Sequence, residues 1–426
     1  MDRLLKPRPF LIFCLICVFC LLWSTVRFAP VSVTWVSEKK SSCKPRVNVV
    51  FLKTHKCASS TIQNIFFRYG DAHNLTFVLP YERNYLGHPL PFNHKMIPDP
   101  SRFNRTYNIL AHHTRFNQTE IKKVMPEDSI YVTIVRDPLE LFASLYSYYE
   151  LDKAYKLKLE NLHRVSLKTF EYKLTFKRLF RKLGLNQMLF DLGFSPNSFR
   201  NLKAVSDFIN YTDSVFDLVM VAERMEASLV LLKDLMCWDY NDVIAFRHNA
   251  RNDTNKNNLP PKIQTLIRHL NTGDEMLYQH FKHKLEDRIR EFGEDKMAKE
   301  IIELRRRTSL FYKFCVKKEM PISKAQVLKE KTHSNVITFL ASDSGGNETC
   351  NRMINRELEY TDKLRFKQRD MYHVVKKKTT SKKSRPLNRT QPSKITVEKN
   401  YHSHQSNDKN IPASSAVDPK TRNVHL

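Results

Sequence analysis

A chain of 426 residues with 71 Lys+Arg against 44 Asp+Glu carries a formal charge of +27, and 41% of it is hydrophobic. That apolar share excludes a wholly disordered or fibrous polymer. Its 8 glycines include no two that lie two or five positions apart, which excludes both the glycine-rich dinucleotide fingerprint and the glycine–lysine nucleotide loop. Any phosphate this chain binds is held without glycine.

The first element is the uncharged stretch between Arg8 and Arg27, with the run FLIFCLICVFCLLW over Phe10–Trp23. A helix of about 17–25 apolar residues spans a membrane, and Arg3, Lys6 and Arg8 precede this one. Positive-inside logic predicts a cytosolic tail over 1–9, a signal-anchor over 10–26, a stem over 27–46 and a lumenal remainder. No small-residue cleavage site follows the run, which disfavours a removed signal peptide. Sequons at Asn74, Asn104, Asn117, Asn210, Asn252, Asn347 and Asn388 suit a lumenal chain. Of the five cysteines beyond the anchor, Cys315 with Cys350 and Cys43 with Cys237 are the expected disulfides, with Cys57 left as a thiol. No cysteine or histidine cluster with zinc spacing follows the anchor, so no metal is expected.

Residues 47–365 read as one catalytic-sized domain. Val47–Leu52 (VNVVFL) predicts a buried strand, and Ser59–Tyr69 the helix after it. Asn108–Ala111 is a short strand. Ile130–Val135 is a strong one with a helix over Pro138–Glu150, and Phe216–Val221 another with a helix over Met225–Cys237. Strand, turn and helix in alternation predict an α/β fold, a mostly parallel sheet flanked by helices. Pro261 to Lys317 reads as helices, with Met276, Leu277, Phe281 and Leu285 as core positions. Residues 366–426 are predicted to be a basic, disordered tail; from Lys376 onward they hold 12 Lys+Arg and 3 Asp+Glu. Behind an anchor, such a tail meets acidic glycans or lipid head groups rather than nucleic acid.

Two segments carry chemistry. In FLKTHKCASST, a buried strand runs into the basic turn Lys53-Thr54-His55-Lys56, then into Ser59, Ser60 and Thr61 opening a helix. A helix N-terminus offers unpaired N–H groups and partial positive charge, so lysines and hydroxyls there form an anion site. An ordinary N-cap with surface lysines explains one hydroxyl, not this set. In IYVTIVRDPLELFASLYSYYE, Arg136 ends a strand, Asp137 is an N-cap, Pro138 is a natural first helical residue, and Ser144 follows two turns later. Arg136 and Ser144 together could hold a second phosphate; the plain alternative for Arg136 is an ion pair with Asp137 or Glu140.

These segments resemble the 5′-phosphosulfate loop and 3′-phosphate motif of sulfotransferases that use 3′-phosphoadenylyl sulfate. FLKTHKCASST, His112-His113 before Thr114-Arg115-Phe116, TIVRDP, EASLVLLKDLMCW over Glu226–Trp238, FRHNAR over Phe246–Arg251 and LYQHF over Leu277–Phe281 are similar, in order, to the galactose-3-O-sulfotransferase family. The resemblance covers roughly Arg46 to Cys350; the long basic tail and Cys57 depart from the family pattern. It implies a P-loop-like sulfotransferase fold and a single-pass type II Golgi membrane enzyme. That enzyme would move a sulfuryl group to the 3-hydroxyl of a galactose on a glycolipid or glycoprotein glycan. It further implies Lys56 as the catalytic loop lysine and His113 as the general base. Lys53, His55, Lys56, Ser59, Ser60 and Thr61 would bind the donor's phosphosulfate, Arg136 and Ser144 its 3′-phosphate, and Arg251 the nucleotide more loosely. After a short strand, His112 and His113 should point to opposite faces, with Arg115 on the His113 side. Two rivals remain: a kinase or nucleoside triphosphatase, disfavoured by the missing glycines, and a non-catalytic lumenal glycan-binding protein of the same fold.

Overall fold

The computed structural model describes residues 43–99, 106–166, 168, 184–248, 259–321, 337–342 and 347–382. The chain divides into two compact units, Met1–Lys377 and Lys378–Leu426, and the second is described only over 378–382. The expected anchor, its cytosolic tail, most of the stem, Arg251 and the tail beyond 382 lie outside the described residues. Among the described residues, no helix is long and apolar enough to cross a membrane.

Five strands form a parallel sheet: β1 (Val49–Leu52), β2 (Phe77–Val78), β3 (Ile109–Leu110), β4 (Ile130–Val135) and β5 (Leu218–Val221), in the order β2-β3-β1-β4-β5. In register, Val49 lies opposite Ile109 on one side and Ile130 on the other, and Val132 lies opposite Leu218. β1, β4 and β5 are buried along their whole length, as a sheet covered on both faces requires, and their near-continuous apolar runs made them legible. Helices α1 (Ser59–Ala72), α2 (Pro138–Tyr148), α3 (Leu202–Val215) and α4 (Met225–Met236) follow or precede these strands, and α5 (Pro261–Leu270), α6 (Thr272–Phe292) and α7 (Glu294–Cys315) resolve the expected helical stretch. The α2 start is as expected: Pro138 is its first residue, and the Asp137 carboxylate accepts from the Leu139 and Glu140 N–H groups.

One part of the core fills the space between α1 and the sheet. The Phe51 and Phe66 rings lie 5.3 Å apart, and Tyr69 stacks on Trp238 at 3.8 Å. Both expected disulfides are present: Cys43–Cys237, with Cα atoms 6.0 Å apart, and Cys315–Cys350, at 5.1 Å. Cys57 is a buried thiol. An antiparallel pair absent from the sequence reading, β6 (Val316–Pro321) with β7 (Ile337–Ala341), follows α7, and α8 (Glu348–Ile354) leads to α9 (Glu357–Lys382).

Helix α9 corrects the expected tail boundary at 366. The Gln368 amide is buried; its Oε1 accepts from the Phe77 N–H at 2.8 Å and its Nε2 donates to the Phe77 carbonyl at 2.9 Å. β2 is an edge strand, and Gln368 satisfies both of its outward backbone groups as a neighbouring strand would. Lys367 and Arg352 both pair with the buried Asp71 carboxylate. Residues 366–371 therefore belong to the folded unit.

Candidate active site

The carboxyl ends of β1, β3, β4 and β5 open on one cleft of about 1110 Å³. This is the edge where a sheet of this kind binds ligands, beside the strand at which the chain order reverses. His55, Lys56, Ser59, Ser60 and Thr61 line it from the β1–α1 loop, His113 from the end of β3, and Arg136 and Ser144 from the end of β4 and α2. The sequence motifs are thus brought together.

The loop bends without glycine because Lys56 (φ 57°) and Ala58 (φ 59°) take the left-handed conformation. Alternating backbone handedness of this kind turns successive N–H groups inward to cradle an anion. Ala58 caps α1 without a side-chain hydrogen bond, so the first turn keeps its positive end toward the cleft. The Lys56 ammonium lies 3.7 Å from the Tyr148 ring centroid, a cation–π contact that holds it over the site. The three hydroxyls line the cleft and also bond within the protein. Ser59 Oγ donates to the Thr54 carbonyl at 2.5 Å, Thr61 Oγ1 accepts from the His248 N–H, and Ser60 Oγ donates to Glu357 at 3.4 Å. These bonds shape the loop.

Arg136 spans from β4 to this loop, donating to the Lys56 carbonyl at 2.9 Å and pairing with Glu140 at 3.4 Å. The plain ion pair with Glu140 is therefore real, but it coexists with exposure to the cleft. Asp137 pairs instead with Arg268 at 2.8 Å.

Lys53 departs from expectation. It is fully buried, is not among the residues facing the cleft, and pairs with Glu357 of α9 at 2.5 Å. Burial lowers its pKa, against the pull of Glu357. Burial alone would raise the Glu357 carboxyl; Lys53 and Asn84 hold it below the usual range. Lys53 therefore acts behind the loop, as a counter-ion.

The histidines divide as their alternation predicted. His112 turns into the core beside Phe67, with Nε2 on Thr361 of α9 at 3.1 Å, and burial pulls its pKa down to about 3. His113 faces the cleft. Its Nδ1 is 3.0 Å from the Lys53 carbonyl; a carbonyl only accepts, so Nδ1 carries the proton and Nε2 is the basic nitrogen. Burial, then Lys53 and the other histidines, lower its pKa well below the ordinary value. His55 stacks on His113 at 4.2 Å and is gripped by buried Asp191, which accepts from its backbone N–H at 2.7 Å and its Nδ1 at 2.9 Å. Burial would raise the Asp191 carboxyl, but His55 and His88 hold it well below the carboxylate range. His55, His88 and Asp191 have ligand atoms within 4.8 Å of one another; His55 is hydrogen-bonded to Asp191, while His88 Nε2 lies 3.7 Å from the carboxylate, at ion-pair distance. Arg115, expected beside His113, instead donates to the Phe190, Gly193 and Phe194 carbonyls and is structural.

Sequence reasoning missed Asn84, Tyr85, Tyr148, Arg247 and Glu357 in the cleft, and Asp191 behind it. Only FRHNAR signalled Arg247. Tyr148 lies within the Ile130–Glu150 segment, whereas Asn84, Tyr85, Glu357 and Asp191 carry no local motif, because tertiary packing delivers them.

The profile of the family described as Galactose-3-O-sulfotransferase matches residues 14–368. The chain is 30% identical to galactosylceramide sulfotransferase of Homo sapiens over 347 residues, 78% of this chain and 81% of that relative. It is 32% identical to galactose-3-O-sulfotransferase 2 of Sus scrofa, covering 75% and 84%, and 33% identical to galactose-3-O-sulfotransferase 3 of Mus musculus, covering 75% and 78%. With the motifs gathered at one sheet edge and the similarity running almost to the middle of α9, the chain belongs to the galactose-3-O-sulfotransferase family.

Proposed function

We propose that this chain moves a sulfuryl group from 3′-phosphoadenylyl sulfate to the 3-hydroxyl of a terminal galactose, carried by a glycolipid such as galactosylceramide or by a glycoprotein glycan. One observation carries the reading. An uncapped helix start, Lys56, Arg136 and Ser144 meet a cleft-facing imidazole in a single cleft.

The residues fit a donor with several negative charges. Lys56 and the first turn of α1 would hold the phosphosulfate, and Arg136 with Ser144 the 3′-phosphate. The donor supplies the sulfuryl group and a phosphate leaving group. His113 Nε2 accepts the proton of the acceptor hydroxyl as that oxygen bonds to sulfur, and the sulfur–phosphate oxygen bond breaks. Lys56 and the α1 N–H groups neutralise charge on the leaving phosphate; positioning and charge neutralisation are what such group transfers need. Asp191 holds His55 in place beside His113, and the Lys53 carbonyl fixes the His113 tautomer.

The reading extends to a single-pass type II Golgi membrane protein with its catalytic unit in the lumen. The uncharged run Phe10–Trp23 behind three basic residues supports it, as do two disulfides, which persist in an oxidising compartment.

The test is incubation of the full chain with radiolabelled sulfate donor and a panel of galactolipids and galactose-terminated oligosaccharides. Label on the galactose 3-hydroxyl is expected. Donor binding without transfer to any galactoside would favour the non-catalytic glycan-binding alternative.

A further inference from the structure

Among the described residues, five carboxylates line the cleft, those of Glu140, Glu223, Glu226, Glu319 and Glu357, and Glu357 is hydrogen-bonded to the donor loop through Ser60. The Glu357 carboxylate lines the same wall as the donor loop, and a carboxylate repels phosphate and sulfate. We infer that Glu357, Asn84 and Tyr85 form the acceptor subsite, built for a neutral pyranose that presents one hydroxyl to His113. The inference rests on the sulfuryl-transfer reading and assigns the site of its second substrate.

Each of the three residues supplies a different part of sugar recognition. Glu357 Oε2 accepts from Lys53 at 2.5 Å and Ser60 at 3.4 Å, and Oε1 accepts from the Asn84 amide at 2.8 Å. A carboxylate offers about four acceptor positions, so capacity remains for a sugar hydroxyl. The Asn84 amide beside it adds donors and an acceptor, and a carboxylate–amide pair suits neighbouring hydroxyls that both give and take hydrogen bonds. Tyr85 provides the apolar surface. Its ring stacks on His113 at 5.0 Å with an interplanar angle of 15°, yet the residue remains 38% exposed. A flat aromatic face beside a base suits the C–H face of a pyranose.

Lys53 ties these parts together. Its carbonyl holds His113 Nδ1 and its ammonium holds Glu357, so base and acceptor group are positioned by one buried residue. Tyr85 is also bridged to His113 through the backbone, in parallel. Subsite and base are thus joined through Lys53 and the backbone bridge.

The test is an NMR-followed titration of methyl β-galactoside into protein saturated with adenosine 3′,5′-bisphosphate, for the parent and for Glu357→Gln, Asn84→Ala and Tyr85→Leu. Galactoside Kd should rise about ten- to a hundred-fold for Glu357→Gln, the loss of a charge-assisted contact. It should rise about three- to ten-fold for the other two, while nucleotide Kd stays at the parental value. Glu357→Gln also unpairs Lys53, so the partly exposed Asn84 and Tyr85 provide the deciding variants if it fails to fold. Parental galactoside affinity in both Asn84→Ala and Tyr85→Leu overturns the subsite, as does a parent that binds nucleotide but no galactoside; both leave the donor reading standing. A folded parent that binds no nucleotide overturns the donor reading and the subsite with it.

Discussion

His113 combines a fixed proton on Nδ1 with a pKa held well below the imidazole value by burial, Lys53 and its histidine neighbours. As the proposed base His113 would act in its neutral form, so activity should fall when Nε2 becomes protonated. The acid limb of the kcat/KM profile should therefore lie below the ordinary histidine value of about 6.5, and an acid limb at or above that value would contradict the assignment. General-base help is typically worth about 10²–10⁴-fold. His113→Ala should lose turnover in that range while binding nucleotide normally, and His112→Ala, whose side chain faces the core, should keep far more. Lys56 and Lys53 separate in the same way. Lys56→Ala should abolish most turnover in a folded protein. Lys53→Ala leaves the part-buried Glu357 charge without its cation, at a cost below the roughly 3–5 kcal/mol of a fully buried pair, so denaturant unfolding should register it first. Full stability in Lys53→Ala would show that the Lys53–Glu357 pair is not what the geometry indicates.

Helix α1 must lie close to the sheet for its N-terminus to reach the cleft, and Gly70 permits this. A Cβ there would lie 2.6 Å from Ile109 Cδ1 and strike the Phe77 ring. Gly70→Ala gains up to about 1 kcal/mol of helix propensity, but overpacking of this kind costs about 1–3 kcal/mol. Net destabilisation in chemical unfolding is expected, and a more stable variant would contradict the packing. The same elements show what was legible. β1, β4 and β5 declared themselves as apolar runs buried on both faces, and Asp137-Pro138 marked the start of α2. β2 did not, since two residues carry no periodicity, and β6, VKKEMP, reads as polar. In the site, the loop and Arg136 were visible because each is a local strand–turn–helix pattern. Glu357 and Asp191 were not, because they meet the loop across 304 and 136 residues of sequence. Lys53 looked like a ligand for the same reason: its counter-ion lies too far along the chain to be read.

Across the whole molecule, buried neutral histidines link stability to pH. His112 stays unprotonated in the fold down to about pH 3, whereas in the unfolded chain it titrates near 6.5. Its depressed pKa favours the fold above the unfolded value, and that contribution is lost as pH falls from about 6.5 toward 3, at up to about 1.4 kcal/mol per pH unit. Thermal unfolding should therefore shift downward between pH 7 and pH 5, and His112→Gln should flatten the slope; a parent indifferent to pH in this window would contradict the burial. On the proposed reading, the fold, with two disulfides and α9 locked to the sheet edge, would hold a polyanion at the carboxyl ends of β1 and β4. The most direct test of that claim is a calorimetric titration of adenosine 3′,5′-bisphosphate into the parent and Arg136→Ala. One saturable site is predicted, weakened about ten- to a hundred-fold by the substitution. A folded parent that binds no bisphosphate, or an Arg136→Ala variant of equal affinity, would contradict it.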